Sequence, residues 1–144
     1  MAIFDGHGGR EVAAACQSML REELDDRLLD RRMHEREALK MTLQALQALQ
    51  ARTSHSTAGC AATIVVIVVN ERIVSANVGD AMAVLYECES RILLTDDHRI
   101  AHNPGERDAL TSRGAHVAHA ATPQPRGALR SWPGGLAMSR CIGD

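Results

Sequence analysis

Aromatic side chains are nearly absent from this 144-residue chain, which has one phenylalanine, one tyrosine and one tryptophan. So few rings do not make the stacking platform with which many proteins bind single-stranded nucleic acid. Neither sign of charge dominates, since 16 Lys and Arg stand against 18 Asp and Glu, and no broad basic surface is expected for a phosphate backbone. We therefore predict no nucleic-acid partner and a core built from aliphatic side chains.

Long hydrophobic runs and targeting signals are also missing. The longest nearly uninterrupted apolar run, residues 60–69, is about half the roughly 20 residues that a membrane helix needs. Residues 1–4 run straight into Asp5, without the charged, apolar and small-residue regions of a secretory signal. We expect no membrane span and an intracellular protein, cytoplasmic or nuclear, that is not secreted.

The cysteines are few and widely spaced. None of Cys16, Cys60, Cys88 and Cys141 belongs to a C-x-x-C pair of the kind that marks zinc or redox motifs. We interpret them as reduced thiols, with Cys16, Cys60 and Cys141 buried among apolar neighbours for structural reasons.

The first third of the chain has a helical pattern. Apolar residues at steps of three and four predict helices over about 10–24 and about 28–51, which we expect to form an antiparallel hairpin. The charge-dense segment 21–37 indicates a solvated face and turn, stabilised by pairs such as Glu23 with Arg27. A partner-docking surface is the alternative for that segment.

The middle of the chain has the pattern of strands. Six consecutive β-branched residues predict a strand covered on both faces. Short turns at 70–72 and 79–80 predict that the chain continues as an antiparallel meander. The predicted strands are 64–69, 73–78, 81–87 and 91–94. Pro104 predicts the first turn of a brief helix that closes near Gly114, and residues 122–135 predict loops with short edge strands.

A carboxylate, an imidazole and three glycines meet at the predicted strand-to-helix junction, as Asp5, Gly6, His7, Gly8 and Gly9. Backbone amides are unpaired at such a junction, and glycine lets the chain turn sharply and bring its carbonyls close to a ligand. The Asp5 carboxylate and the adjacent carbonyl are hard oxygen donors of the kind that Mg²⁺ and Mn²⁺ prefer. These residues alone are compatible with a metal site or with an ordinary turn.

A series of strings resembles one protein family. FDGHGG at 4–9 is similar to the signature of the metal-dependent protein phosphatases of type 2C, and further strings follow in that family's order. They are VGDAMAVL at 78–85, LTDDHR at 94–99, NPGERDAL at 103–110, RGAHV at 113–117 and GGLAMSRCIGD at 134–144. The resemblance implies an α+β fold, part of a two-sheet antiparallel β-sandwich flanked by antiparallel helix pairs. The second sheet would cover the far face of strand 64–69.

The resemblance also implies site residues and a reaction. Asp5 resembles a carboxylate that bridges two Mg²⁺ or Mn²⁺ ions, Gly6 the residue whose backbone carbonyl binds one of them, and His7 the general acid. Asp97 resembles a residue that helps to hold a third, weaker metal ion in some members. The implied activity is hydrolysis of phosphoserine and phosphothreonine in a phosphoprotein partner by a metal-activated water.

The same resemblance covers only the middle of a catalytic domain, because the family's upstream acidic and arginine ligands and its downstream aspartates lie outside the chain. We expect residues 1–144 to be a partial domain, truncated at both ends, that binds metal weakly and turns over little substrate. One alternative is a catalytically inactive, phosphatase-like binding module, and another is a hydrolase of a different phosphoester. Ser139 and Arg140 are expected to be structural, with Arg140 as a replacement phosphate ligand the alternative.

Overall fold

The computed structural model describes residues 1–53, 57–68, 72–121 and 127–144. Its elements are, in chain order, β1 (Ala2–His7), α1 (Glu11–Asp25), α2 (Glu35–Thr53), β2 (Gly59–Val68), β3 (Arg72–Val78), β4 (Val84–Glu87), β5 (Ser90–Leu93), α3 (Pro104–Ser112), β6 (His116–His119), β7 (Leu129–Trp132) and β8 (Ile142–Gly143). The helices and antiparallel sheets confirm the predicted α+β class.

The largest sheet is organised around β2. Strand β1 pairs with one edge of β2, from Ala2 opposite Ile64 to His7 opposite Gly59. On the other edge, β3 pairs with β2 from Ala62 onwards, and the short β8 pairs with its first two residues. All three pairings are antiparallel, so β2 brings the end of β1 and the short β8 together at Gly59.

One face of this sheet packs against the helical pair. Side chains from both helices meet alternate residues of β2, β3 and β8 in a single apolar cluster, because successive strand residues point to opposite faces. The cluster includes Val12, Cys16, Leu39, Leu43, Leu46, Cys60, Ile64, Val74 and Ile142. Burying each large aliphatic side chain contributes about 1.5–3 kcal/mol, which makes this layer the main source of stability.

The opposite face of the sheet carries polar side chains that hydrogen-bond to the segment 81–96. They donate hydrogen bonds to backbone carbonyls, Thr63 to Ala81 (2.6 Å), Ser75 to Leu94 and Asn77 to Asp96 (2.7 Å). The separate hairpin of β4 and β5 lies between these anchor points in the chain. The prediction that strand 64–69 is covered on both faces is wrong at its end, where Ile67 is 66% exposed. The anchoring side chains lie on the rungs of Thr63 and Val65 and do not reach Ile67.

The predicted meander is wrong beyond Gly79. Strands β2 and β3 form the expected antiparallel pair, but β4 pairs with β5 in a different sheet and begins at Val84 rather than at residue 81. The chain leaves the first sheet at Gly79, which has a positive φ of 97°. Most of the predicted turn at 70–72, and part of the loop at 122–135, fall outside the described residues.

The helices match the sequence pattern unevenly. Helices α1 and α3 begin and end within a few residues of the prediction, but α2 begins at Glu35 rather than near residue 28. A π-helical turn, Asp26–Asp30, occupies the intervening stretch and buries Arg27, which is 8% exposed and bonds to Glu23 at 2.7 Å. The pair is confirmed, although its arginine is not on a solvated face. No helix within the described ranges is both long and apolar enough to cross a membrane.

Candidate active site

Strand β1 places two predicted site residues on the same face of the sheet. Side chains alternate along a strand, and Phe4 packs towards the helices, so Asp5 and His7 point to the opposite face. Their Cα atoms are two residues apart, or about 6.8 Å along an extended strand. The chain then turns at Gly8 and Gly9 into α1, as predicted.

Asp5 offers oxygen atoms that the protein does not use. The residue is exposed, and its carboxylate makes no hydrogen bond or ion pair with the described part of the chain. Met1 and Val65 exchange both backbone hydrogen bonds at 2.8 Å, which fixes the alternation of the β1–β2 ladder. By that alternation the carbonyl of Gly6 faces away from β2, towards the open edge of β1. A free carboxylate beside an outward carbonyl fits a hard cation such as Mg²⁺ or Mn²⁺.

His7 meets a residue that sequence reasoning missed. Its Nε2 lies 2.5 Å from Oδ2 of Asp144, so the imidazole and the carboxylate form a hydrogen-bonded pair. His7, Gly59 and Gly143 stand in one row across β1, β2 and β8. A Cβ added to Gly59 would lie 2.0 Å from that Asp144 oxygen and 2.6 Å from His7 Nε2, so the pair requires glycine between its members. The sequence signal that could have pointed to Asp144 is the Gly-Asp that ends the family-like string at 134–144.

Cys141 joins this pair from the same segment. Its Sγ lies 3.2 Å from Oδ2 of Asp144, and burial together with that carboxylate raises the pKa of the thiol to about 12. The predicted burial is confirmed for Cys16 and Cys60, which are fully buried in the core, but Cys141 is only half-buried. Its contact with a carboxylate sets it apart from an apolar structural thiol.

An ion pair fixes the segment that leads to Asp144. The Arg140 guanidinium donates to both oxygens of Glu106 in α3, at 2.9 and 2.6 Å, and Ser139 donates to the same carboxylate. The arginine, assisted by the serine hydroxyl, lowers the pKa of Glu106 to about 2. These contacts support the structural role expected for Ser139 and Arg140. Because Glu106 occupies the Arg140 guanidinium, the structure favours that role over phosphate binding.

We expect Glu106→Gln to destabilise the protein in a pH-dependent way. Because the folded pKa of about 2 lies below the ordinary value of 4.5, the stabilisation is complete above about pH 5 and is lost as the pH falls towards 2. The partner Arg140 is half exposed, and solvent screens the ion pair. We therefore expect Glu106→Gln to lower the free energy of unfolding at neutral pH by about 1–2 kcal/mol, less than the pKa shift of Glu106 alone would imply. Urea unfolding from pH 7 to 2.5 would measure it, with Asp108→Asn on the exposed side of α3 as the control. If Glu106→Gln and the unaltered protein differed in unfolding free energy as much at pH 2.5 as at pH 7, the ion-pair argument would be contradicted.

Asp97 is engaged elsewhere. Both carboxylate oxygens bond to the Arg99 side chain, at 2.9 and 3.0 Å, and one also lies 3.1 Å from Nδ1 of His102. The guanidinium of Arg99 holds the pKa of this carboxyl well below its usual range. A metal ion at Asp97 would have to displace Arg99, so this predicted ligand fits a cation less well than Asp5 does.

Comparison with known proteins gives consistent matches along the whole chain. A model of the family described as protein phosphatase 2C matches residues 1–144. The chain is 34% identical to probable protein phosphatase 2C 33 of Oryza sativa subsp. japonica, over 99% of its own length and 35% of the relative's. It is 33% identical to probable protein phosphatase 2C 5 of Arabidopsis thaliana, again over 99% and 35% of the two chains. The chain thus spans about a third of the length of these relatives.

Proposed function

This chain belongs to the protein phosphatase 2C family, and we propose from that premise that it hydrolyses phosphoserine and phosphothreonine in proteins with the help of Mg²⁺ or Mn²⁺. The observation that carries the proposal is the juxtaposition on β1 of a free carboxylate, an outward carbonyl and an imidazole, at Asp5, Gly6 and His7. Strand geometry keeps the cation donors and the proton donor on one segment, with Asp5 and His7 on one face.

Each residue has a distinct part in this proposal. Asp5 and Gly6 would hold the divalent ions, and Asp97 would contribute to a further, weaker site if Arg99 released it. Bound divalent ions supply a water of lowered pKa and neutralise the phosphate charge. His7 would give its Nε2 proton to the departing serine or threonine oxygen, which would otherwise leave as a strongly basic alkoxide.

The relation between His7 and Asp144 supports the role of proton donor. A carboxylate 2.5 Å from Nε2 orients the imidazole and accepts the hydrogen bond of that nitrogen, so Asp144 has to release the Nε2 proton when the leaving oxygen takes it. The Asp144 side chain is 15% exposed and that of His7 is 26% exposed, so a substrate can reach the imidazole from solvent. In this arrangement Asp144 is a positioning residue, because it acts through His7.

Metal-dependent hydrolysis of a phosphothreonine peptide tests the proposal. We expect Asp5→Asn to raise the Mn²⁺ concentration needed for half-maximal rate by about 10–100-fold, because the amide keeps the shape and loses the charge. Because we expect low turnover, the assay uses protein in excess over peptide and measures the phosphate released. Asp108→Asn, an exposed change of the same kind on α3, should leave the Mn²⁺ dependence unchanged.

Other outcomes would favour the alternatives. If the chain binds the phosphopeptide but releases no phosphate at any Mn²⁺ concentration, it is a binding module. If small phosphate esters are hydrolysed and phosphopeptides are not, the substrate class is wrong. If Asp5→Asn and the unaltered chain show the same Mn²⁺ dependence, Asp5 is not a metal ligand.

A further inference from the structure

Three side chains of different donor type converge beside the proposed catalytic residues. His7 Nε2, Cys141 Sγ and an Asp144 carboxylate oxygen all lie within 4.8 Å of one another, and across the described ranges this is the one group of three such ligands at that spacing. Two of the separations are short, 2.5 Å between His7 and Asp144 and 3.2 Å between Cys141 and Asp144. The cluster does not include Asp5.

The donor set differs in kind from that of Asp5 and Gly6. Two oxygen donors suit Mg²⁺ and Mn²⁺, whereas an imidazole, a sulfur and one carboxylate suit the softer Zn²⁺. Tetrahedral zinc, with bonds of about 2.0–2.3 Å, places its ligand atoms about 3.3–3.8 Å apart. The cluster therefore needs His7 and Asp144 to separate by about 1 Å, while Cys141 is already close to the required distance from Asp144.

The surroundings place no side chain between His7 and Asp144 and leave part of the cluster open to a cavity. Gly59 presents no side chain between His7 and Asp144, where a Cβ would fill the space at 2.0 and 2.6 Å from their polar atoms. A cavity of about 610 Å³ is lined in part by Cys141 and Asp144, which gives an entry path and a position for a water as fourth ligand.

We propose that His7, Cys141 and Asp144 form a zinc site, separate from the Mg²⁺ or Mn²⁺ site, whose occupancy blocks hydrolysis. On binding, Cys141 releases its proton to solvent and forms a zinc–sulfur bond. The Nε2 proton of His7 also goes to solvent, and the neutral imidazole, with its proton on Nδ1, binds through Nε2 while Asp144 supplies a carboxylate oxygen. Zinc thereby takes the nitrogen from which His7 would protonate the leaving group, and this inhibitory consequence rests on the proposed function.

Cobalt substitution tests the site without reference to activity. We expect one equivalent of Co²⁺ to give a sulfur-to-cobalt charge-transfer band and the intense visible bands of tetrahedral cobalt, and one equivalent of Zn²⁺ to abolish both. Cys141→Ser should remove the charge-transfer band and weaken Zn²⁺ binding at least about tenfold, as one of three ligands is lost. Cys88→Ser is the matched control, because Cys88 is exposed and lies between β4 and β5.

Further variants separate this proposal from the function. Asp5→Asn should keep the cobalt spectrum unchanged even if it impairs Mn²⁺-dependent hydrolysis, and Asp144→Asn should alter the spectrum if Cys141→Ser does not fold. In the unaltered chain, Zn²⁺ should inhibit hydrolysis at concentrations that leave Cys141→Ser active, and added Mn²⁺ should not relieve that inhibition. A missing charge-transfer band, or a band that survives Cys141→Ser, would overturn the site. A zinc site that binds without inhibiting would overturn its link to hydrolysis.

Discussion

His7→Asn is expected to slow hydrolysis of a phosphothreonine peptide by about 10²–10⁴-fold, the usual contribution of a positioned general acid. The loss should depend on the leaving group. An alkoxide needs a proton as the bond to phosphorus breaks, whereas p-nitrophenolate is a weak base and leaves without one. The rate with p-nitrophenyl phosphate should therefore fall far less, and the ratio of the two losses measures proton donation.

A second histidine provides the control for this experiment. His34 precedes α2, its side chain is 63% exposed, and asparagine is well tolerated before a helix. His34→Asn should change neither rate. If His7→Asn slowed both substrates equally, His7 would be holding the site together rather than donating a proton.

Gly79→Ala should be strongly destabilising for so small a change, with a loss of about 2–4 kcal/mol of unfolding free energy. The residue has a φ of 97°, which a side chain resists, and a Cβ would lie 2.4 Å from Cβ of Ala61 on β2. Ala61 is 1% exposed and cannot move aside without shifting the strand. The carbonyl oxygen of Gly79 also accepts a hydrogen bond from the backbone N–H of the buried His98, at 3.2 Å. A shift of the Gly79 backbone would therefore reach the loop that carries Asp97.

Gly114→Ala separates the backbone strain at positive φ from the steric clash with Ala61. Gly114 has a similar φ of 89°, but a Cβ there would meet nothing within 4 Å. Its substitution should cost only the backbone strain, about 1–2 kcal/mol. Urea unfolding of both variants gives the comparison, and the excess loss at Gly79 is the contribution of the close approach to Ala61. Equal losses would mean that strand β2 accommodates the extra methyl group.

The parts of the fold that sequence patterns predicted are those determined by local chemistry. Helix α3 has Pro104 in its first turn and Asn103 as its cap, whose side chain accepts the Glu106 N–H at 3.2 Å. Helix α1 is set by the spacing of residues such as Val12 and Cys16, which are both fully buried. Such signals lie within a few residues of the structure that they specify.

The failures arise from burial and contacts that short-range periodicity does not show. The start of α2 was missed because burial of Arg27 stabilises a turn that charge density alone suggests is solvated. The meander was wrong because Gly79 leaves the sheet to approach Ala61, a neighbour on another strand. Asp5, Gly6 and His7 could be named from a family resemblance. The neighbours of His7, which are Asp144 and Cys141, lie in a family-like string, but the pairing of β8 with β2 that brings them to His7 leaves no local pattern.

The position of β2 between β1 and β8 has a kinetic consequence. The contact between His7 and Asp144 joins residues that are 137 positions apart, whereas α1 and α2 are neighbours in sequence. Forming distant contacts costs chain entropy that local contacts avoid, so the helical pair and the β2–β3 pair can form before β8 docks. We therefore expect the row of His7, Gly59 and Gly143 to be completed late in folding, so that His7 meets Asp144 only after most of the sheet has formed.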